Sequence, residues 1–107
     1  MTDESKEQRI FWHRDLPPLS AEPVDEHTAE ATSLRVKGRL ERSGELWDTC
    51  YEDLMKTANE RLKQELSRLG GDYAHVTDEV VDSAHNDVTG EAWLHGRFAY
   101  VLYRRRP

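Results

Sequence analysis

The side chains of this chain best able to do chemistry are its five histidines: His13, His27, His75, His85 and His95. Imidazole is the commonest protein metal ligand and the group that titrates nearest neutral pH. His75 and His95 fall in stretches that read as strands, Tyr73-Ala-His-Val and Trp93-Leu-His-Gly. A hairpin register that sets His75 near His95, with Glu79 close by, would bring together two imidazoles and a carboxylate. That is the smallest set that holds zinc or a related divalent metal. His85 and Asp87 form a second, looser pair. None of these has the spacing of an HExxH helix or of paired CxxC turns, so each histidine reads first as a surface or hydrogen-bonded residue.

Enzyme chemistry finds little to use. The sequence contains no nucleophile elbow, phosphate loop or dinucleotide fingerprint. Asp78, Glu79 and Asp82 cluster where a strand ends, which is the pattern of a solvated edge. The single cysteine, Cys50, lies on an apolar stripe and reads as a small buried hydrophobe; with one cysteine no intrachain disulfide forms.

The element that must position these residues runs over residues 45–71. Its apolar residues are Leu46, Trp47, Cys50, Tyr51, Leu54, Met55, Ala58, Leu62, Leu66 and Leu69. Their spacings of three and four predict one long amphipathic helix. Its start is ambiguous, with Ser43 as cap or Thr49 and Glu52 as a capping box. Its end is set by Leu69-Gly70-Gly71, which offers a glycine for the left-handed position past the last turn.

Strands flank the helix. Leu34, Val36, Gly38 and Leu40 alternate with Arg35, Lys37, Arg39 and Glu41, predicting a half-buried strand within residues 28–41. A second strand is expected over residues 73–81, with Ala74, Val76 and Val80 facing inward. Residues 82–91 are rich in turn formers and read as its loop. The last strand, residues 92–104, has Ala92, Leu94, Gly96, Phe98, Tyr100 and Leu102 on one face. Before all of these, Ile10, Phe11 and Trp12 read as a short strand or strap, Pro17-Pro18 forces extended backbone, and residues 20–27 form an acidic loop. Residues 1–9 are wholly polar and read as disordered.

The predicted fold is α+β: a two-layer sandwich of one long helix on a mainly antiparallel sheet of three or four strands, in the order β-α-β-β. At 107 residues it forms one domain over residues 10–107, with residues 10–27 an extended strap and loop. The net charge is −6, which argues against a broadly basic nucleic-acid binder. No apolar run approaches the roughly 18 residues of a membrane span, and the polar N-terminus lacks the apolar core of a secretory signal. A cytoplasmic location is the expectation.

With the helix on the apolar side of the sheet, the other face is predicted to carry Arg35, Lys37 and Arg39, then Tyr73, His75, Thr77 and Glu79, then Trp93, His95, Arg97, Val101 and Tyr103. This face is basic and aromatic within an acidic chain. One reading is that it is covered, by the Ile10-Phe11-Trp12 segment or by a second copy or another protein. Another is a metal or small-ligand site at His75, His95 and Glu79. A third is single-stranded nucleic acid, with aromatics stacking bases and Arg104 to Arg106 adding charge, but the aromatic positions do not match the ribonucleoprotein motif.

The stretches ANERLKQELSRLGGDYAHV (residues 58–76) and GEAWLHGRFAYVLYR (residues 90–104) resemble small bacterial domains in which a helix ends in Leu-Gly and leads into a strand. These are the uncharacterised family named for heavy-metal binding and small periplasmic lipoprotein sensors of the same layout. The resemblance covers about the second half of the chain. It implies a compact α+β domain and a ring-forming oligomer. The chain departs from the lipoproteins in having no signal, lipidation cysteine or disulfide pair, and the metal label carries no residue onto this sequence. Taken together, the sequence reads as a protein-interaction module that self-associates or binds another protein, with Trp93, His95, Arg97 and Tyr103 at the contact. It needs no cofactor in that reading; a divalent metal at His75, His95 and Glu79 belongs to the alternative.

Overall fold

The computed structural model describes residues 8–18, 20–41 and 44–106. The expectation of disorder for residues 1–7 and the capping role of Ser43 lie outside the described residues. The elements in chain order are β1 (Ile10–Trp12), β2 (Ala21–Thr32), β3 (Val36–Lys37), α1 (Glu45–Leu69), β4 (Tyr73–Asn86) and β5 (Glu91–Arg105). The five strands form one sheet in the order β1-β4-β5-β2, with β3 continuing the β2 side of β5. Among the described residues only the β1–β4 pairing is parallel. The α+β class and the single helix on one sheet are as the sequence pattern requires, with one strand more than expected.

The helix buries Cys50, Leu54, Ala58, Leu62 and Leu66, one ridge of side chains at every fourth residue. Such a ridge slants across the helix axis and so follows a twisted sheet. It lies on Ala29 of β2, Ala74 and Val76 of β4, and Leu94, Phe98, Tyr100 and Leu102 of β5. Fully burying each leucine contributes about 1.5–3 kcal/mol. Gly96 admits the helix: a Cβ there would stand 2.7 Å from the Phe98 ring and 3.1 Å from Leu54. The helix starts at Glu45 with Gly44 as N-cap and no side-chain cap, and Glu45 and Asp48 offset the exposed N–H groups. Thr49 is no cap, since its hydroxyl donates to the Glu45 carbonyl. The other end matches expectation, with Gly70 at φ 71° and its N–H donating to Leu66 O.

Three strand expectations are corrected. First, the strand expected within residues 28–41 lies earlier: β2 covers most of the acidic "loop", and beyond it only Val36 and Lys37 pair, with Ala92 and Glu91. β2 is an edge strand with only Ala21 and Ala29 buried, so it has no apolar alternation to read. Second, β4 runs on to Asn86, and the loop shrinks to residues 87–90. Third, a β-bulge between Val76 and Asp78 shifts the register by one residue. Past it the parity inverts. Glu79 now pairs with Phe98 on the helix side, and Val80 pairs with Arg97 on the far side, where it is 44% exposed.

Candidate functional site

β1 and β2 occupy opposite edges of the sheet, so the chain joining them has to cross it. Phe11, Ala21 and Tyr73 are buried together on the helix-free side, with Tyr103 packed against them. Phe11 meets the Tyr73 ring edge-on at 5.9 Å, and Arg105 lies over that ring while its Nε donates to the Tyr73 hydroxyl at 2.9 Å. Tyr73 is therefore closed off by the chain's own N-terminal part, and Tyr103 is half-buried beside it. Of the tail arginines expected to add charge for a nucleic acid, Arg104 and Arg105 are engaged: Arg105 on Tyr73, and Arg104 as donor to Gly70 O and Leu69 O at the carbonyl end of α1. Arg9 donates to Asp72 O and Gly71 O just past that end.

The other half of this face stays open. Trp93, His95 and Arg97 stand there in line on β5, opposite Ala84, Asp82 and Val80 of β4. Glu30 of β2 faces Arg97 and accepts from His95 Nε2 at 2.9 Å. The neighbours from β2 are thus Thr28, Glu30 and Thr32, not the expected Arg35, Lys37 and Arg39. These three basic residues lie past the end of β2 and gather round the tip of the β4–β5 hairpin instead. Arg35 stacks over Trp93 at 4.1 Å and reaches Glu91 at 3.7 Å, Lys37 Nζ donates to Thr89 O at 2.9 Å, and Arg39 lines a cleft on the helix side. The face is mixed in charge rather than basic.

The expected metal set does not come together. His75 pairs with Val101 and His95 with Asp82, which puts them about 20 Å apart along the strands. The bulge sends Glu79 to the opposite face. Among the described residues no three His, Cys, Asp or Glu side chains form a group able to hold a metal.

Glu79 has a different role. Its Oε2 accepts from the Tyr51 hydroxyl at 2.6 Å and its Oε1 lies 3.1 Å from His13 Nε2. Burial first, then the Glu79 carboxylate, push the Tyr51 hydroxyl from 10.0 up to about 12. His13 sits at φ 48°, costly for a side-chain-bearing residue. Its carbonyl meets His75 Nε2 at 2.8 Å and its N–H donates to Val76 O at 2.8 Å. The turn that ends β1 is thus pinned to the helix through Glu79. A second carboxylate–tyrosine contact lies across the helix, where buried Glu65 accepts from Tyr100 at 3.4 Å and from Arg68 through both oxygens. Arg68 holds the Glu65 carboxyl below its ordinary range, and burial pushes Tyr100 up to about 12.

That turn also ends the pairing along β4. β1 covers only residues 74–76, and no strand among the described residues covers the outer edge of residues 79–86. The direction of the free groups follows from the ladder. Leu94 exchanges bonds with Ser33 on its far side, through Leu94 N to Ser33 Oγ at 2.9 Å and Ser33 N to Leu94 O at 2.8 Å. Its β4 partner Ser83 therefore turns its own peptide groups outward, as do Glu79, Val81 and His85 by alternation. Sequence reasoning missed this edge because it ended the strand at residue 81. The adjacent valines Val80 and Val81 were the available signal that alternation slips there.

Comparison with family models, curated proteins and solved structures gives no match for this chain. No helix among the described residues is long and apolar enough to cross a membrane.

Proposed function

We propose that this chain is a protein-interaction module that self-associates, and that its docking element is the outer edge of β4 past the bulge. The carrying observation is the row of outward peptide groups at Glu79, Val81, Ser83 and His85, beside which no strand among the described residues lies. An uncovered strand edge is a template for another strand. The occupant favoured is a second copy, running antiparallel about a two-fold axis, because the same edge then satisfies both chains. Val80, 44% exposed beside this edge, gains cover from the added strand. Asp82 selects the register: set opposite its own copy it would oppose like charge, so pairing centres on Val81 or Ser83. Trp93, His95 and Arg97 lie one strand inward and flank the joint sheet on its helix-free side.

The test is hydrogen exchange of the full chain at low and high concentration. The amides of Val81, Ser83 and His85 are expected to slow at high concentration, while those of Thr28 and Glu30 on the outer side of β2 do not. Equal exchange at both concentrations for all five would refute the reading.

A further inference from the structure

We infer that the cleft at the tip of the β4–β5 hairpin binds a small organic anion, with Arg39 holding its carboxylate or phosphate group. The cleft has a volume of about 440 Å³, within the roughly 300–1,000 Å³ of small-molecule sites. It lies on the helix side of the hairpin, between the Gly38-Arg39-Leu40 segment and the ends of both strands. Leu40 and Ala92 give it apolar surface; Arg39 and Ser83 supply donors.

The charge distribution favours an anion. Two acidic side chains line the cleft, and both are engaged: Asp87 lies 2.9 Å from His85 Nε2, and Glu91 is 3.7 Å from Arg35. Arg39 has no hydrogen-bond or ion-pair partner among the described residues. Lys37 is fixed at the same tip by its bond to Thr89 O. A chain of net charge −6 thus gathers Arg35, Lys37 and Arg39 around one end of one hairpin. A guanidinium presents a planar fork that matches two oxygens of a carboxylate or phosphate.

The cleft is also built rather than incidental. Gly38 adopts φ 116°, which side-chain-bearing residues rarely reach, and its N–H donates to Gly90 O at 3.1 Å. That bond ties the Arg39 segment to the hairpin turn. Gly90 itself sits at φ 72°. The Asn86 side-chain oxygen takes the Val88 and Thr89 N–H groups, which fixes the turn from within. The ligand class that fits has one oxyanion and a short apolar body resting on Leu40 and Ala92. The edge of β4 and this cleft use different groups: outward peptides for the first, helix-side side chains for the second.

The experiment is calorimetric titration of the full chain with benzoate and phenyl phosphate, using acetate and inorganic phosphate as partners without an apolar body. At least one of the two aromatic anions is expected to bind saturably, at least tenfold more tightly than its bodyless counterpart. Arg39→Gln should weaken that binding tenfold or more, whereas Arg97→Gln, on the opposite face of the sheet, should not change it. Whichever aromatic anion binds tells carboxylate from phosphate. Absence of saturable binding to both, equal affinity with and without the body, or unchanged affinity in a folded Arg39→Gln variant would each overturn the assignment.

Discussion

The sheet has two long outer edges, and they are defended differently. β2 exposes its whole length, but its sequence carries Pro23, an irregularity between Pro23 and Asp25, and the acids Glu22, Asp25, Glu26 and Glu30. Proline removes a donor and acidic side chains repel a second acidic edge. The outer edge of β4 past the bulge has fewer of these guards. It contains no proline, Glu79 is tied to Tyr51 and His13, and Asp78 and Asp82 are the two acids left there, against four on β2. An acidic chain that discourages pairing on one edge has left the other usable. The difference teaches that the short reach of β1, which stops at Trp12, is what decides where an added strand can dock.

The largest expected effect breaks that contrast. Ser83→Pro removes an outward N–H and leaves the β4–β5 ladder intact, because the Ser83 peptide does not face β5. It should shift the association equilibrium at least a hundredfold toward monomer in sedimentation. Thr28→Pro does the same to β2, where Thr28 faces outward beside the paired Ala29, and should leave association unchanged. Equal effects of the two would remove the distinction between the edges.

A smaller effect compares the two carboxylate–tyrosine contacts beside the helix. Tyr51→Phe leaves the partly buried Glu79 with His13 alone and should cost about 1–2 kcal/mol in chemical denaturation. Tyr100→Phe should cost less, because Glu65 keeps both bonds from Arg68 and the tyrosine bond is long at 3.4 Å. The reverse order would show that the Glu79 network does not hold the turn at the head of the free edge.

A further effect is alkaline. Both hydroxyls titrate at about 12 in the folded chain against 10.0 in the unfolded one. The folded state therefore binds more protons between these values. The stability it gains is complete below pH 10 and is lost as pH rises towards 12. Each Tyr→Phe variant should flatten this part of the stability profile, and absorbance at alkaline pH should show two late-ionising tyrosines.

Much of this architecture is legible in the residues, and the exceptions have physical causes. The helix was legible because a single ridge of Cys50, Leu54, Ala58, Leu62 and Leu66 repeats without interruption, and β5 because it is central and covered on its helix side throughout. β2 was not, since an edge strand needs few apolar residues to be held by the ladder of its neighbour. The alternation of residues 34–41 misled for the opposite reason. Gly38 turns the backbone to φ 116° midway through it, so Arg35, Lys37 and Arg39 gather round the tip of the β4–β5 hairpin instead of lining one face of a strand. Asp82, Ser83, His85 and Asn86 look like a turn, yet they are carried as strand by pairing with β5. The candidate metal set is kept apart for two reasons: the bulge at Thr77 moves Glu79 to the helix side, and His75 and His95 lie far apart along one face. The crossing of the N-terminal chain from one edge to the other, which buries Tyr73 and half-covers Tyr103, is a property of strand order, and no local pattern carries it.

The most direct test of the central claim is the mass of the full chain in solution, measured by light scattering over a range of concentrations at moderate salt. Pairing through the β4 edge predicts a concentration-dependent rise to twice the chain mass of 12.5 kDa and no further, since a two-fold joint uses up both edges. A mass that stays at that of one chain at every concentration, or one that grows past two chains without limit, would contradict it.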